Sequence, residues 1–380
     1  MGRDALIQIY TRLQQGQAWT KRVQGLRPTL VLTLGFTETG LAEGISAAGA
    51  TPRDRRFTAL ADAEFMVNGL TANPTYALPP LQAGASPALI AKAVIAAQQI
   101  PLSLLNAGLP LPPTVPAVDL GGKPAQCLST GAALPLDSVH HLWQQGLAQG
   151  ESLAAAADYL LLAECVVGGT TTALGVLTGL GLDAANRVNS SHPTCNHSQK
   201  QALVAQGLAA AQLPVHPHTH PLAVVAAVGD PMQPVVAGLA MAASRTRPVL
   251  LAGGTQMLAV YALMVAIAQA EGYHWQPQNV VVGTTRWVAE DATGDTVGLA
   301  KLTGACLIAT QLSFAESRFE VLRAYERGFV KEGVGAGGCA IAASLYQNWG
   351  QGELLAAVEA LLEQKIQRDR SQGSGSSASL

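Results

Sequence analysis

With 380 residues, 49% of them hydrophobic and only 13% charged, the chain is long enough to bury roughly three quarters of its extended surface in a large core. Its net charge of -2 and the absence of any basic block exclude the electrostatic footprint needed for nucleic acid or an anionic membrane surface, so small molecules are the expected partners. The cysteines (Cys127, Cys165, Cys195, Cys306 and Cys339) are odd in number, scattered and without a CxxC pair, the pattern of reduced thiols in a cytoplasmic protein.

In chain order, residues 4–20 read as a helix without the unbroken apolar stretch of an export signal. Residues 29–35 (TLVLTLG) read as a buried strand, and FTETGLAEGISAAG after it as a ligand-facing loop entering a helix, with Thr37, Glu38 and Thr39 at its start as candidate base-pocket residues. SPALIAKAVIAAQQIP (86–101) has a helix start, helical spacing and a proline stop. LLNAGLPLPPTVPAVDLGGKP (104–124), rich in proline and glycine, reads as a long ordered loop or lid. From about Gly150 a helix and a strand lead to Glu164. Then come a loop and helix (166–182), a helix (197–212), a helix (231–244), strand PVLLAGG, a helix (255–272) and strand NVVVGTT. Two uncharged runs, 165–182 and 248–270, are each broken by Gly-Gly-Thr, as a buried strand, its loop and the next helix would be, and so are not expected to span a membrane. The alternation predicts an α/β fold in which a parallel sheet carries helices on both faces, a Rossmann-like three-layer arrangement with ligands at the carboxyl ends of the strands. Residues 1–370 read as a single domain. An amphipathic helix (352–370) precedes SQGSGSSASL (371–380), a low-complexity tail expected to be disordered.

Glycine loops stand where chemistry would be expected: Gly168-Gly169-Thr170-Thr171-Thr172, Gly253-Gly254-Thr255-Gln256, and the run FVKEGVGAGGCAIA (329–342) with Gly333 and Gly335. Glycine lets backbone approach a ligand, and hydroxyls with helix N-terminal amides satisfy phosphate oxygens. None of them matches the P-loop or the dinucleotide fingerprint. Glu164 and Glu332 each lie beside such a loop among apolar residues, where a raised pKa suits a base working near neutral pH. A carboxylate at the mouth of a phosphate cradle is unfavourable, which raises the question of what Glu332 does there. Arg286 after VVVGTT and Lys200 at a helix start are candidate cations for a carboxylate or phosphate. His192, Cys195, His197, His216, His218 and His220 supply zinc-type donors, but their spacing matches no zinc motif, and no metal or cofactor is expected.

The segments AECVVGGTTTA, GLGLDAANRV and VKEGVGAGGCA, in this order and with PVVAGLAMAASRTRPVLLAGG between them, resemble the nicotinate-nucleotide:dimethylbenzimidazole phosphoribosyltransferases over about residues 150–345. The N-terminal FTETGLAEGISAAGATP and the segment VVGTTRWVAED are similar to the divergent archaeal and cyanobacterial branch. The resemblance implies transfer of the 5-phosphoribosyl group of nicotinate mononucleotide to a benzimidazole-type or purine base, giving the α-ribotide of the cobalamin lower ligand. Glu332 matches the catalytic base and Glu164 the second carboxylate. Residues 168–172 match the phosphate loop, and Lys200 falls near a matching lysine. A homodimer with a smaller helical subdomain, here from the chain ends, is also implied. The sequence departs from the family at Val166-Val167, at Thr170 and in a shorter GLGLD loop. On this resemblance the phosphate belongs to 168–172, and the glycines after Glu332 lie against the ribose. The alternative expectation is a mononucleotide-binding protein without catalysis.

Overall fold

A computed structural model of the chain describes residues 6–79, 81, 83–213 and 220–375. One eight-stranded sheet organises it, in the order β1-β8-β7-β6-β5-β2-β3-β4. The strands are β1 (Ile7–Ile9), β2 (Pro28–Gly35), β3 (Leu102–Gly108), β4 (Val118–Asp119), β5 (Tyr159–Cys165), β6 (Val249–Ala252), β7 (Val280–Thr285) and β8 (Leu307–Thr310). Every pairing is parallel except β1 with β8.

The central strands read as continuous apolar runs because both faces are covered. Along β5, Leu160 and Leu162 enter one core while Tyr159, Leu161 and Ala163 enter the other. Helices Leu136–Ala156, Gly169–Gly179, Met232–Ser244 and Thr255–Glu271 line the first face, and Leu13–Val23, Pro52–Asn68, Ala88–Ala97, Ala336–Gln347 and Gln351–Gly375 line the second. The helices from the two chain ends therefore share one face. On the other face, Leu136–Ala156 and Met232–Ser244 approach through glycine: a Cβ on Gly146 would come within 2.3 Å of the Val235 carbonyl oxygen.

Several expectations change. Residues 7–9 extend the sheet instead of starting a helix, with Ile7 opposite Thr310. Thr11 fixes this strand by donating to the Ala305 carbonyl (2.7 Å) and accepting from Leu307 N–H (2.8 Å). Arg12, at φ 48°, turns the chain into a helix that begins only at Leu13. The front of the 104–124 segment is not loop: Leu102–Gly108 pairs with β2, burying Leu104 and Leu105. The helix that the 36–49 loop enters is Pro52–Asn68, whose bounds the pattern does not give; Thr51-Pro-Arg-Asp54 closes a capping box at its start, with Asp54 N–H donating to the Thr51 hydroxyl and Thr51 N–H to the Asp54 carboxylate. The last helix continues to Gly375, five residues into the segment expected as tail, and residues 376–380 lie outside the described residues.

Successive strands step one way from β2 through β3 to β4 and the other way from β5 through β6 and β7 to β8, so the winding reverses between β2 and β5. In sheets of this kind the crevice at that reversal, beyond the carboxyl ends of the strands, is where ligands bind.

Candidate active site

At that crevice lies a cavity of about 200 Å³. Its wall combines the end of β5 and the following loop (164–170), the loop after β6 (254–256), residues 189–193 and residues 329–334. Ser46, Ala47, Ala48, Thr58, Asp62, Ser86 and Pro87 complete it from the second face of the sheet.

Glu164 has the parity of Leu160 and Leu162 on β5 and is 6% exposed. One of its oxygens accepts from the Gln256 side-chain amide (2.9 Å), the other from Val166 N–H (2.9 Å). Burial, with the nearby carboxylates of Asp230 and Glu332 adding to it, pushes its pKa up to about 8, so it is largely protonated at neutral pH. Asp230, buried at the start of helix Met232–Ser244, accepts from the Thr172 hydroxyl at 2.5 Å and from Met232 N–H at 3.0 Å, and burial lifts it to about 6.

Glu332 is held differently. Its Oε2 accepts from the Thr284 hydroxyl (3.0 Å) and Thr285 N–H (3.0 Å), and its Oε1 from Gly333 N–H and Gly337 N–H (both 3.1 Å). Burial raises its pKa, and these donors oppose the rise by favouring the carboxylate. The glycine run makes this possible. A Cβ on Gly337 would lie 2.2 Å from the Thr284 carbonyl carbon and 2.6 Å from Glu332 Oε2. Val330, Lys331 and Val334 adopt positive φ (69°, 67° and 54°), conformations that are strained for β-branched valine and that cluster at functional sites. Lys331 anchors the strained segment: its buried ammonium pairs with Asp291 at 2.5 Å.

Of the residues singled out in the sequence, Glu164, Gly168, Gly169, Thr170, Gly254, Glu332 and Gly333 meet at this cavity. Gly169 packs so closely that its Cβ would meet Gln256 Oε1 at 1.9 Å. Others stand behind the wall. Thr171 and Thr172 are fully buried in helix Gly169–Gly179, and Gly253 and Gly335 lie in the turns that lead to it. Lys200 is wholly buried, its ammonium donating to the Asn189 carbonyl, and burial lowers its pKa to about 7. It therefore holds the 189–193 segment and does not line the cavity. Arg286 is ion-paired to Glu326 and donates to the Leu312 carbonyl at 3.1 Å, away from the wall. Thr37 and Thr39 are buried in a 3₁₀ turn and its cap, where Thr39 accepts from Leu128 N–H (3.0 Å), while Glu38 is exposed; none of them lines the cavity.

The neighbouring segment 46–48 does line it. It is held by Arg55, a buried guanidinium that donates to the Ser46 carbonyl (3.3 Å) and, just before the segment, to those of Gly40 (2.7 Å) and Ala42 (3.0 Å). Sequence reasoning missed Asp62 and Asn189-Ser190-Ser191, whereas Gln256, from the second glycine loop, and His192, from the zinc-type donors, both line the cavity. Asp62 lies in helix Pro52–Asn68, beyond the loop that carried the expectation, and Ser191, which accepts from Ala47 N–H at 2.9 Å, lies in the stretch whose histidines and cysteine suggest metal donors. Among the described residues no group of three or more His, Cys, Asp or Glu side chains is placed to hold a metal, and His216 and His218 lie outside them. No helix among them is long and apolar enough to cross a membrane.

The chain belongs to the phosphoribosyltransferase family whose model matches residues 81–280. Within it, the chain is similar to UPF0284 proteins, 64% identical over 357 residues to that of Cyanothece sp. (strain PCC 7425), covering 94% of this chain and 96% of the relative. The UPF0284 protein of Trichodesmium erythraeum is 60% identical over 363 residues, 94% of this chain and 98% of the relative. The fold is shared with a solved structure, the nicotinate-nucleotide-dimethylbenzimidazole phosphoribosyltransferase of Thermus thermophilus, at TM-score 0.57 and 18% identity over 92% of this chain and 91% of that one.

Proposed function

We propose that the protein transfers the 5-phosphoribosyl group of nicotinate mononucleotide to a benzimidazole-type or purine base, forming the α-ribotide of the cobalamin lower ligand, with Glu332 as general base. The observation that carries this reading is the meeting of two carboxyls, Glu332 and Glu164, with the Gly168-Gly169-Thr170 loop around one cavity. The fold shared with the nicotinate-nucleotide-dimethylbenzimidazole phosphoribosyltransferase of Thermus thermophilus is consistent with it.

In this reading one ring nitrogen of the base bonds to the anomeric carbon. The glycosidic bond of nicotinate mononucleotide breaks, its electron pair returns to the pyridinium nitrogen, and neutral-ring nicotinate leaves. The attacking azole would become cationic, so Glu332 takes the proton from its other nitrogen, a transfer that contributes roughly 10²- to 10⁴-fold. Glu164, holding its proton near neutral pH, offers a hydrogen bond without placing a second negative charge beside the phosphate. The phosphate is assigned to the start of helix Gly169–Gly179, with the hydroxyls of Thr170, Ser190 and Ser191. Thr171, Thr172, Gly253, Gly335 and Lys200 support these groups from behind, and we assign the protein a homodimeric state.

A second reading, a mononucleotide-binding protein without catalysis, is favoured by one observation: both oxygens of Glu332 already accept from protein donors, as in a purely structural carboxyl. The two readings separate in one assay. Purified protein incubated with nicotinate mononucleotide and a panel of bases is expected to release nicotinate and α-ribotide in equal amounts. Nucleotide binding with no base consumed would establish the binding protein instead.

A further inference from the structure

Asp62 is the one carboxyl at the cavity that the proposed transfer leaves without a task. It projects from helix Pro52–Asn68, is 4% exposed and lines the cavity beside Ser86. Its Oδ2 accepts from the Cys165 thiol at 3.2 Å, and its Oδ1, also buried, has no hydrogen-bond partner. Among the described residues no cation pairs with it. A buried polar atom without a partner is costly and rare in a native protein, and where it borders a binding cavity a ligand group is the natural partner.

In its carboxylate form Asp62 can only accept through Oδ1, so the partner of that form is a donor and not a phosphate, whose charge it would repel. The wall nearby is built of Ala47, Ala48 and Pro87, with Thr58 one helical turn away; its hydroxyl is already spent on the Ala48 carbonyl at 3.0 Å. Such a surface suits the flat face of an aromatic ring better than a ribose. Burial lifts Asp62 to about 7, with the hydrogen bond from the Cys165 thiol pulling the other way, and a further donor from a ligand would draw it towards the carboxylate.

We infer that Asp62 is a specificity-determining residue of the base subsite, accepting through Oδ1 a hydrogen bond from an amine or hydroxyl on the six-membered ring of the incoming heteroaromatic base. This rests on the transfer reading above. A base with only alkyl groups on that ring would leave Oδ1 unpaired, and a site built around a hydrogen bond rejects ligands that lack it.

The test compares bases that differ only in the donor, adenine with purine and 5-hydroxybenzimidazole with 5-methylbenzimidazole. Two readouts are used, calorimetric binding to the intact protein and kcat/KM with nicotinate mononucleotide. The intact protein should favour the donor-bearing member roughly 10- to 100-fold in both. Asp62→Ala should bring each pair within about twofold, by weakening the donor-bearing member and relieving the donorless one of the unpaired Oδ1. Asp62→Asn, which keeps the shape and serves if the alanine variant does not fold, should lose at least about threefold of the preference, because a neutral amide is the weaker acceptor. No preference in the intact protein, an equal loss on both members of a pair, an unaltered preference in Asp62→Asn, or weaker nicotinate mononucleotide binding in the alanine variant would each overturn the inference. Failure of the transfer reading is visible separately: no ribotide forms from any base, while calorimetry still reports whether Asp62 discriminates.

Discussion

Glu164 carries a strong consequence for stability. In the folded protein it keeps its proton up to about pH 8, whereas the unfolded chain releases it near 4.5. Between those values the native state binds more protons than the unfolded state, so stability falls as pH rises across the window and levels off above it. Asp62 and Asp230, raised to about 7 and about 6, act in the same sense over narrower ranges. Lys200, lowered to about 7, acts oppositely above that value, because there the native state has lost a proton that the unfolded chain keeps. Glu164→Gln removes one contribution alone. Thermal unfolding from pH 5 to 9 should show a shallower decline for the variant than for the parent and a higher Tm at pH 8 to 9. Parallel curves would mean that Glu164 is not held neutral by the fold.

At the scale of elements, the site depends on how closely helix Ala336–Gln347 approaches β7. Gly337 allows this contact, since any Cβ there would meet the backbone of Thr284 and Thr285 and the carboxylate of Glu332 together. Gly337→Ala should therefore unseat Glu332, lowering kcat at least about tenfold and costing about 1–3 kcal/mol of stability through overpacking. Gly352→Ala, with nothing near its Cβ in the last helix, serves as the control for kinetics and chemical denaturation and should match the parent. Equal kinetics for the two variants would detach Glu332 from the helix contact. These approaches were only half legible in the sequence. The glycine run and its neighbouring carboxylate could be read as a ligand-facing loop, because glycine density and a carboxylate among apolar residues are local signals. The positive φ of Val330, Lys331 and Val334 could not, since valine gives no local sign of that backbone. The bounds of helix Pro52–Asn68, which the 36–49 loop enters, were not legible because it is buried from Thr58 to Met66, which erases the helical period, and its capping residues mark only its start. Lys200 and Arg286 read as free cations because sequence cannot show that a carbonyl or a carboxylate from a distant segment has already claimed them.

For the whole molecule, the parallel three-layer architecture followed from the strand and helix alternation, and the reversal of winding between β2 and β5 puts the cavity where such sheets bind ligands. The antiparallel β1 and the strand Leu102–Gly108 were not legible, because their partners are distant in sequence. If the protein is a homodimer as proposed, sedimentation equilibrium should return twice the chain mass of 39.2 kDa, and a single-chain mass at micromolar concentration would contradict it. The most direct test of the central claim is single-turnover α-ribotide formation by Glu332→Gln beside a measurement of its affinity for nicotinate mononucleotide. If Glu332 removes the ring proton, the rate should fall about 10²- to 10⁴-fold with nucleotide affinity nearly unchanged. Turnover at the parental rate with intact binding would show that the proton leaves by another route.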